Sequence, residues 1–165
     1  MSCELPREAA AYFEAVEADR PRACPEQHAL AAHIRHCFET EDLRVDTEQL
    51  RHYLSLARYF PYERLFPWQE CLTALWNCTY TAEGRPRWKT LFCMVGRGAG
   101  KDGYIAFDAM CSTSPYNPVS RYNVDICANN EEQAMTPVND LVSALETPAN
   151  QKKLNRFYFH TKELV

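Results

Sequence analysis

Apolar residues recur at helical spacing in the first third of the chain, at Ala9, Tyr12, Phe13 and Val16 and again at Leu30, Ile34, Cys37 and Phe38. Each set lines one face of a 3.6-residue period, which predicts amphipathic helices from Leu5 to about Ala18 and from Pro25 to about Phe38. Asp46, three residues before Gln49, reads as a capping box; Leu50, Tyr53, Leu54 and Ala57 continue a third helix to about Tyr59, where Pro61 ends it. Pro67 sits at the first position of a fourth helix, with Trp68, Cys71, Leu72, Leu75 and Trp76 as one apolar stripe. After the turn Glu83-Gly84-Arg85-Pro86 the period changes. Trp88 to Val95 is a continuous apolar run, the pattern of a strand buried on both faces.

That run leads into Gly96-Arg97-Gly98-Ala99-Gly100-Lys101-Asp102-Gly103 and then a helix predicted from about Lys101 to Cys111. Ser114-Pro115-Tyr116-Asn117-Pro118 is a turn, and Tyr122 to Ala128 reads as a second strand, completing a βαβ unit. Asn129 and Glu132 pattern as another capping box, Pro137 predicts a kink or restart, and Val138, Leu141, Val142 and Leu145 are expected to face the core. Phe157 to His160 is a candidate third short strand. The expected fold is therefore α/β: an incomplete P-loop parallel sheet with flanking helices over residues 61–165, preceded by a helical region over residues 1–60.

With 165 residues the chain is about one domain in size. Its net charge of −4 argues against a broad basic nucleic-acid surface, which needs clustered Lys and Arg. The eight cysteines are spread without a C-x-x-C pair, and Cys93 and Cys127 fall inside the apolar runs, so they read as buried reduced thiols of a cytosolic protein. Cys24, His28, His33, His36 and Cys37 lack the spacing of a zinc module and read as a helix with surface histidines. No apolar stretch reaches spanning length and no signal peptide is expected.

Four of the five glycines lie between Gly96 and Gly103. Glycines let backbone N–H groups turn inward around an anion, a following helix adds the positive end of its dipole, and Lys101 supplies a point charge. The pattern departs from Walker A at two places: Val95 stands where the first glycine belongs, and Asp102 replaces the hydroxyl residue that holds magnesium. Gly98-x-Gly100-x-x-Gly103 also satisfies the dinucleotide fingerprint, with Asp125 near the distance of its ribose acid. A lysine inside the turn suits a triphosphate better than a pyrophosphate, and Asp125 lies mid-run rather than at its end. A mononucleotide site is favoured over an oxidoreductase domain.

Phe66-Pro67-Trp68-Gln69 is a second candidate. A glutamine just inside a helix, beside Trp68, can present a donor and an acceptor to the edge of adenine. Taken in order, Phe66 to Gln69, Gly96 to Asp102, and Ala128-Asn129-Asn130-Glu131-Glu132-Gln133-Ala134 resemble the N-terminal ATPase region of the tailed-bacteriophage terminase large subunit. The resemblance runs from about Glu41 to Leu164. It implies ATP and Mg2+ as cofactors, with Gln69 and Trp68 at adenine. Gly96, Arg97, Gly98, Ala99, Gly100 and Lys101 would surround the phosphates, and Asp102 would take the metal position. Lys101 and Arg97 would be the catalytic cations, Arg97 bracing the γ-phosphate.

The complete protein of that family drives viral double-stranded DNA into a procapsid in the host cytoplasm, as a homo-oligomeric ring with a small terminase subunit and a portal. The acidic Walker B strand and the nuclease domain of such a motor have no counterpart in this sequence. The chain thus reads as the N-terminal third of a terminase that binds ATP and hydrolyses it feebly, with a noncatalytic nucleotide- or partner-binding remnant as the alternative.

Overall fold

The computed structural model describes residues 4–62 and 64–152. Among them the chain is mostly helical, with seven α-helices and one two-stranded antiparallel sheet. The elements are α1 (Arg7–Glu17), α2 (Pro25–Thr40), β1 (Leu43–Val45), α3 (Thr47–Leu56), α4 (Pro67–Leu72), β2 (Thr79–Thr81), α5 (Lys101–Thr113), α6 (Glu131–Glu146) and α7 (Pro148–Gln151). They form two compact units that interleave in sequence. The first comprises Met1–Leu54 and Leu65–Met94, the second Ser55–Arg64 and Val95–Val165.

In the first unit α1 packs against α2 and α4. Phe13, Ile34, Phe38, Leu43, Cys71 and Leu75 meet in one core, at the helical spacing that the apolar pattern predicts for α1 and α2, except that Leu30 of the expected α2 face is exposed and Ala31 is buried instead. Pro25 and Pro67 each begin a helix, where a missing N–H costs nothing. Asp46 caps α3, its Oδ1 accepting from the Gln49 N–H over 2.8 Å. Past α4 the helix widens into a π-helical turn, Thr73–Asn77, and β2 follows. β2 pairs with β1 in the register Leu43 to Thr81, Arg44 to Tyr80 and Val45 to Thr79. Glu41 accepts two hydrogen bonds from Arg87, from Nε and, over 2.7 Å, from Nη2.

In the second unit α5 packs on α6. Tyr104, Ala106, Phe107, Ala109, Met110 and Cys111 are buried on α5, and Pro137, Ala144 and Leu145 on α6. Phe60 stacks on Tyr62 with ring centroids 5.2 Å apart and meets Phe107 edge-on at 6.3 Å. Asn150 Nδ2 donates to the carbonyls of Tyr59, at 2.9 Å, and Ala144, at 2.7 Å. α6 continues through Pro137 as one helix, so the chain does not restart there. Its cap is Asn130, one residue later than expected, whose side chain accepts from the Gln133 N–H over 2.9 Å. Of the residues expected to face the core, Leu145 is buried and Val138, Leu141 and Val142 are half-buried.

The expected parallel sheet is absent from the described residues, and the α/β P-loop fold is corrected accordingly. Neither Trp88–Val95 nor Tyr122–Ala128 joins a ladder; among the described residues the only pairing beyond β1 and β2 is an isolated bridge between Tyr80 and Pro86. Phe92 is 87% exposed and Met94 85%, so the first run is not the doubly buried strand its apolar character suggests. An apolar run specifies that a segment can be buried, but a strand exists only where a second backbone supplies its hydrogen bonds. Cys127 is exposed and Cys93 half-buried for the same reason, against the expectation for both. Phe157 to His160 lies outside the described residues. No helix among the described residues is long and apolar enough to cross a membrane.

Candidate phosphate-binding loop

The loop begins with a turn in which the Ala99 N–H donates to the Gly96 carbonyl over 3.2 Å. Gly98 and Gly100 both adopt left-handed backbone, at φ 80° and 83°, on either side of Ala99. For a residue with a β-carbon this conformation is costly, and alternation of this kind turns successive N–H groups toward one concave side. A β-carbon on Gly96 or Gly98 would meet nothing within 4 Å, so the loop stands open to an incoming group.

Gly100 is the N-cap of α5, a helix of 13 residues. The Tyr104 N–H closes the first helical bond, onto the Gly100 carbonyl at 3.0 Å. The amides of Lys101, Asp102 and Gly103 are then the N-terminal donors that a helix cannot satisfy internally, and the dipole concentrates about half a positive charge there. Arg97, Lys101 and Asp102 are all exposed. Lys101 Nζ and Asp102 Oδ1 lie 2.5 Å apart, so the two side chains neutralise one another at the mouth of the loop.

Mg2+ binds through one or two carboxylates together with phosphate oxygens, and Asp102 is the carboxylate the loop offers. Among the described residues no group of three His, Cys, Asp or Glu side chains converges as an all-protein metal site requires.

Gln69 and Trp68 belong to the first unit and the loop to the second. Gln69 is only 4% exposed. Its Oε1 accepts from the Phe66 N–H over 2.8 Å, closing the N-terminus of α4, and Thr73 Oγ1 donates to its carbonyl at 2.8 Å. The side chain expected to read adenine is thus turned into its own helix start. Trp68 is half-buried, and Asp125 is exposed in the segment between α5 and α6.

Tyr62 is the neighbour of the loop that sequence reasoning missed. Its hydroxyl donates to the Gly103 carbonyl over 3.0 Å, and its ring lies 3.3 Å from where a β-carbon on Gly103 would stand. The residue keeps 38% of its surface exposed, and partial desolvation raises the phenol above its ordinary range, with Asp140 and Cys111 adding to the shift. The available signal was the third glycine of Gly98-x-Gly100-x-x-Gly103, a position that serves close packing where that pattern occurs.

Comparison with protein families, curated proteins and solved structures finds no match to this chain.

Proposed function

We propose that this chain binds the triphosphate of ATP, with Mg2+, at Gly96 to Asp102, as the ATP-handling segment of a phage DNA-packaging motor. The observation that carries the reading is the pair of left-handed glycines, Gly98 and Gly100, placed directly before a helix whose first residue is Lys101. In that frame the loop amides and the start of α5 hold the phosphates, Lys101 neutralises their charge, and Arg97 reaches the terminal phosphate. Mg2+, when bound, would neutralise further phosphate charge, with Asp102 as its protein ligand. The order of the three terminase-like segments supports assignment to that motor. DNA, a small subunit, a portal and a ring of copies are the partners that this assignment would imply.

Binding without efficient turnover is the form of the activity that the residues favour. Hydrolysis needs a carboxylate or amide that orients water at the terminal phosphate, and such motors carry it at the end of a strand. The two apolar runs that would supply a sheet form no ladder among the described residues.

Lys101→Ala is the decisive variant. At ATP a hundredfold above its dissociation constant, ligand should stabilise the native chain by about 2.7 kcal/mol, and the variant much less. Equal ATP-induced melting shifts in the two proteins would overturn the assignment.

A further inference from the structure

The residues of Ser55–Arg64 belong to the same compact unit as the glycine loop although about thirty residues of chain from the other unit separate them in sequence. The segment reaches the start of α5 through Tyr62, whose hydroxyl is bonded to the Gly103 carbonyl at 3.0 Å and whose ring stacks at 9° on Phe60. Phe60 is itself fixed, 2% exposed and edge-on to Phe107 of α5. The Phe60 ring is therefore a buried wedge, and Tyr62 is its outer face, laid along the first turn of the helix.

First turns of helices fray before the rest, because their N–H groups make no internal bonds. An anion bound by the amides of Lys101, Asp102 and Gly103 needs that turn formed, and a turn ordered only on binding subtracts from affinity. A carbonyl oxygen has two lone pairs, so the Gly103 oxygen can take the Tyr62 hydroxyl and still serve the helix. A β-carbon at 103 would sit 3.3 Å from Tyr62 Cε1, closer than ordinary contact, so the ring would have to give by a few tenths of an ångström.

We propose that Tyr62 is a positioning residue for the phosphate site, holding the first turn of α5 in its binding geometry through the Gly103 carbonyl, for any polyphosphate and irrespective of a base. The inference rests on the phosphate-loop reading above. Tyr62 makes no contact with ligand in this role; it acts through the backbone that does.

The test uses Mg-ATP and Mg-tripolyphosphate, titrated calorimetrically into the full chain and into Tyr62→Phe. Phenylalanine keeps the ring on Phe60 and removes only the hydroxyl, so the variant should melt close to the native chain. It should bind both ligands about five- to tenfold more weakly, by the same factor. A merely structural tyrosine would lower the melting temperature and leave the affinity of the folded protein unchanged, and that result overturns the proposal. Loss confined to Mg-ATP would show the ring addressing the base, and overturns it as well. Should Tyr62→Phe fail to fold, Gly103→Ala replaces it: the β-carbon crowds the Tyr62 ring at 3.3 Å while alanine favours the helix, and affinity for both ligands should still fall. Unchanged affinity there again overturns the proposal. A native chain that binds neither ligand would instead overturn the phosphate-loop reading on which this one stands.

Discussion

The Tyr80 hydroxyl donates to Gln49 Oε1 over 2.7 Å, joining β2 to α3 through two side chains that are 8% and 6% exposed. Gln49 Nε2 in turn donates to the Tyr53 hydroxyl at 2.9 Å. Gln49 thus carries a polar chain through the first unit while its backbone N–H serves the Asp46 cap. Tyr80→Phe should destabilise the protein by about 1–3 kcal/mol, because it takes from the buried Gln49 oxygen its Tyr80 donor. Urea unfolding measures this, and a change near zero would show that water reaches Gln49.

The Arg87 guanidinium holds the Glu41 carboxyl below its ordinary range, with smaller help from Cys37 and His33. A carboxylate whose folded pKa is depressed stabilises the protein above its unfolded value, and the contribution disappears as pH falls through the folded one. Glu41→Gln should therefore cost about 1 kcal/mol at neutral pH, and the difference from the native chain should shrink to nothing in acid. Unfolding curves that stay equally separated from neutral pH into acid would contradict the pairing.

Gln69→Ala should lower stability by about 1 kcal/mol through loss of the bond to the Phe66 N–H. Because the side chain is 4% exposed, the ratio of ATP to GTP affinity should not move. A shifted ratio in a folded variant would return Gln69 to the adenine role that its place in the sequence suggests.

The loop glycines should separate into two classes. Gly98→Ala and Gly100→Ala each force a β-carbon into left-handed backbone, costing about 1–2 kcal/mol, and should weaken ATP binding. Gly96 has no such φ and an open surrounding, so Gly96→Ala should bind nearly as the native chain does. Titration of the three variants checks the order, and equal losses at all three would deny the left-handed nest its role.

What the sequence determined by itself is local. The starts at Pro25 and Pro67, the Asp46 cap, the apolar faces of α1 and α2, and the glycine turn into α5 all depend on residues within a few positions of one another, because a helix makes its hydrogen bonds within its own segment. Tertiary structure decided what depends on distant chain. The strand-like runs at 88–95 and 122–128 carry the right apolar residues and still form no ladder, while three-residue β1 and β2, too short to show a period, pair because the fold brings their backbones together. Gln69 had the composition of a base reader, and only burial showed it closing its own helix. Tyr62 had no motif at all; its place against Gly103 comes from the packing of Phe60 on Phe107, a contact between residues 47 positions apart that no local pattern encodes.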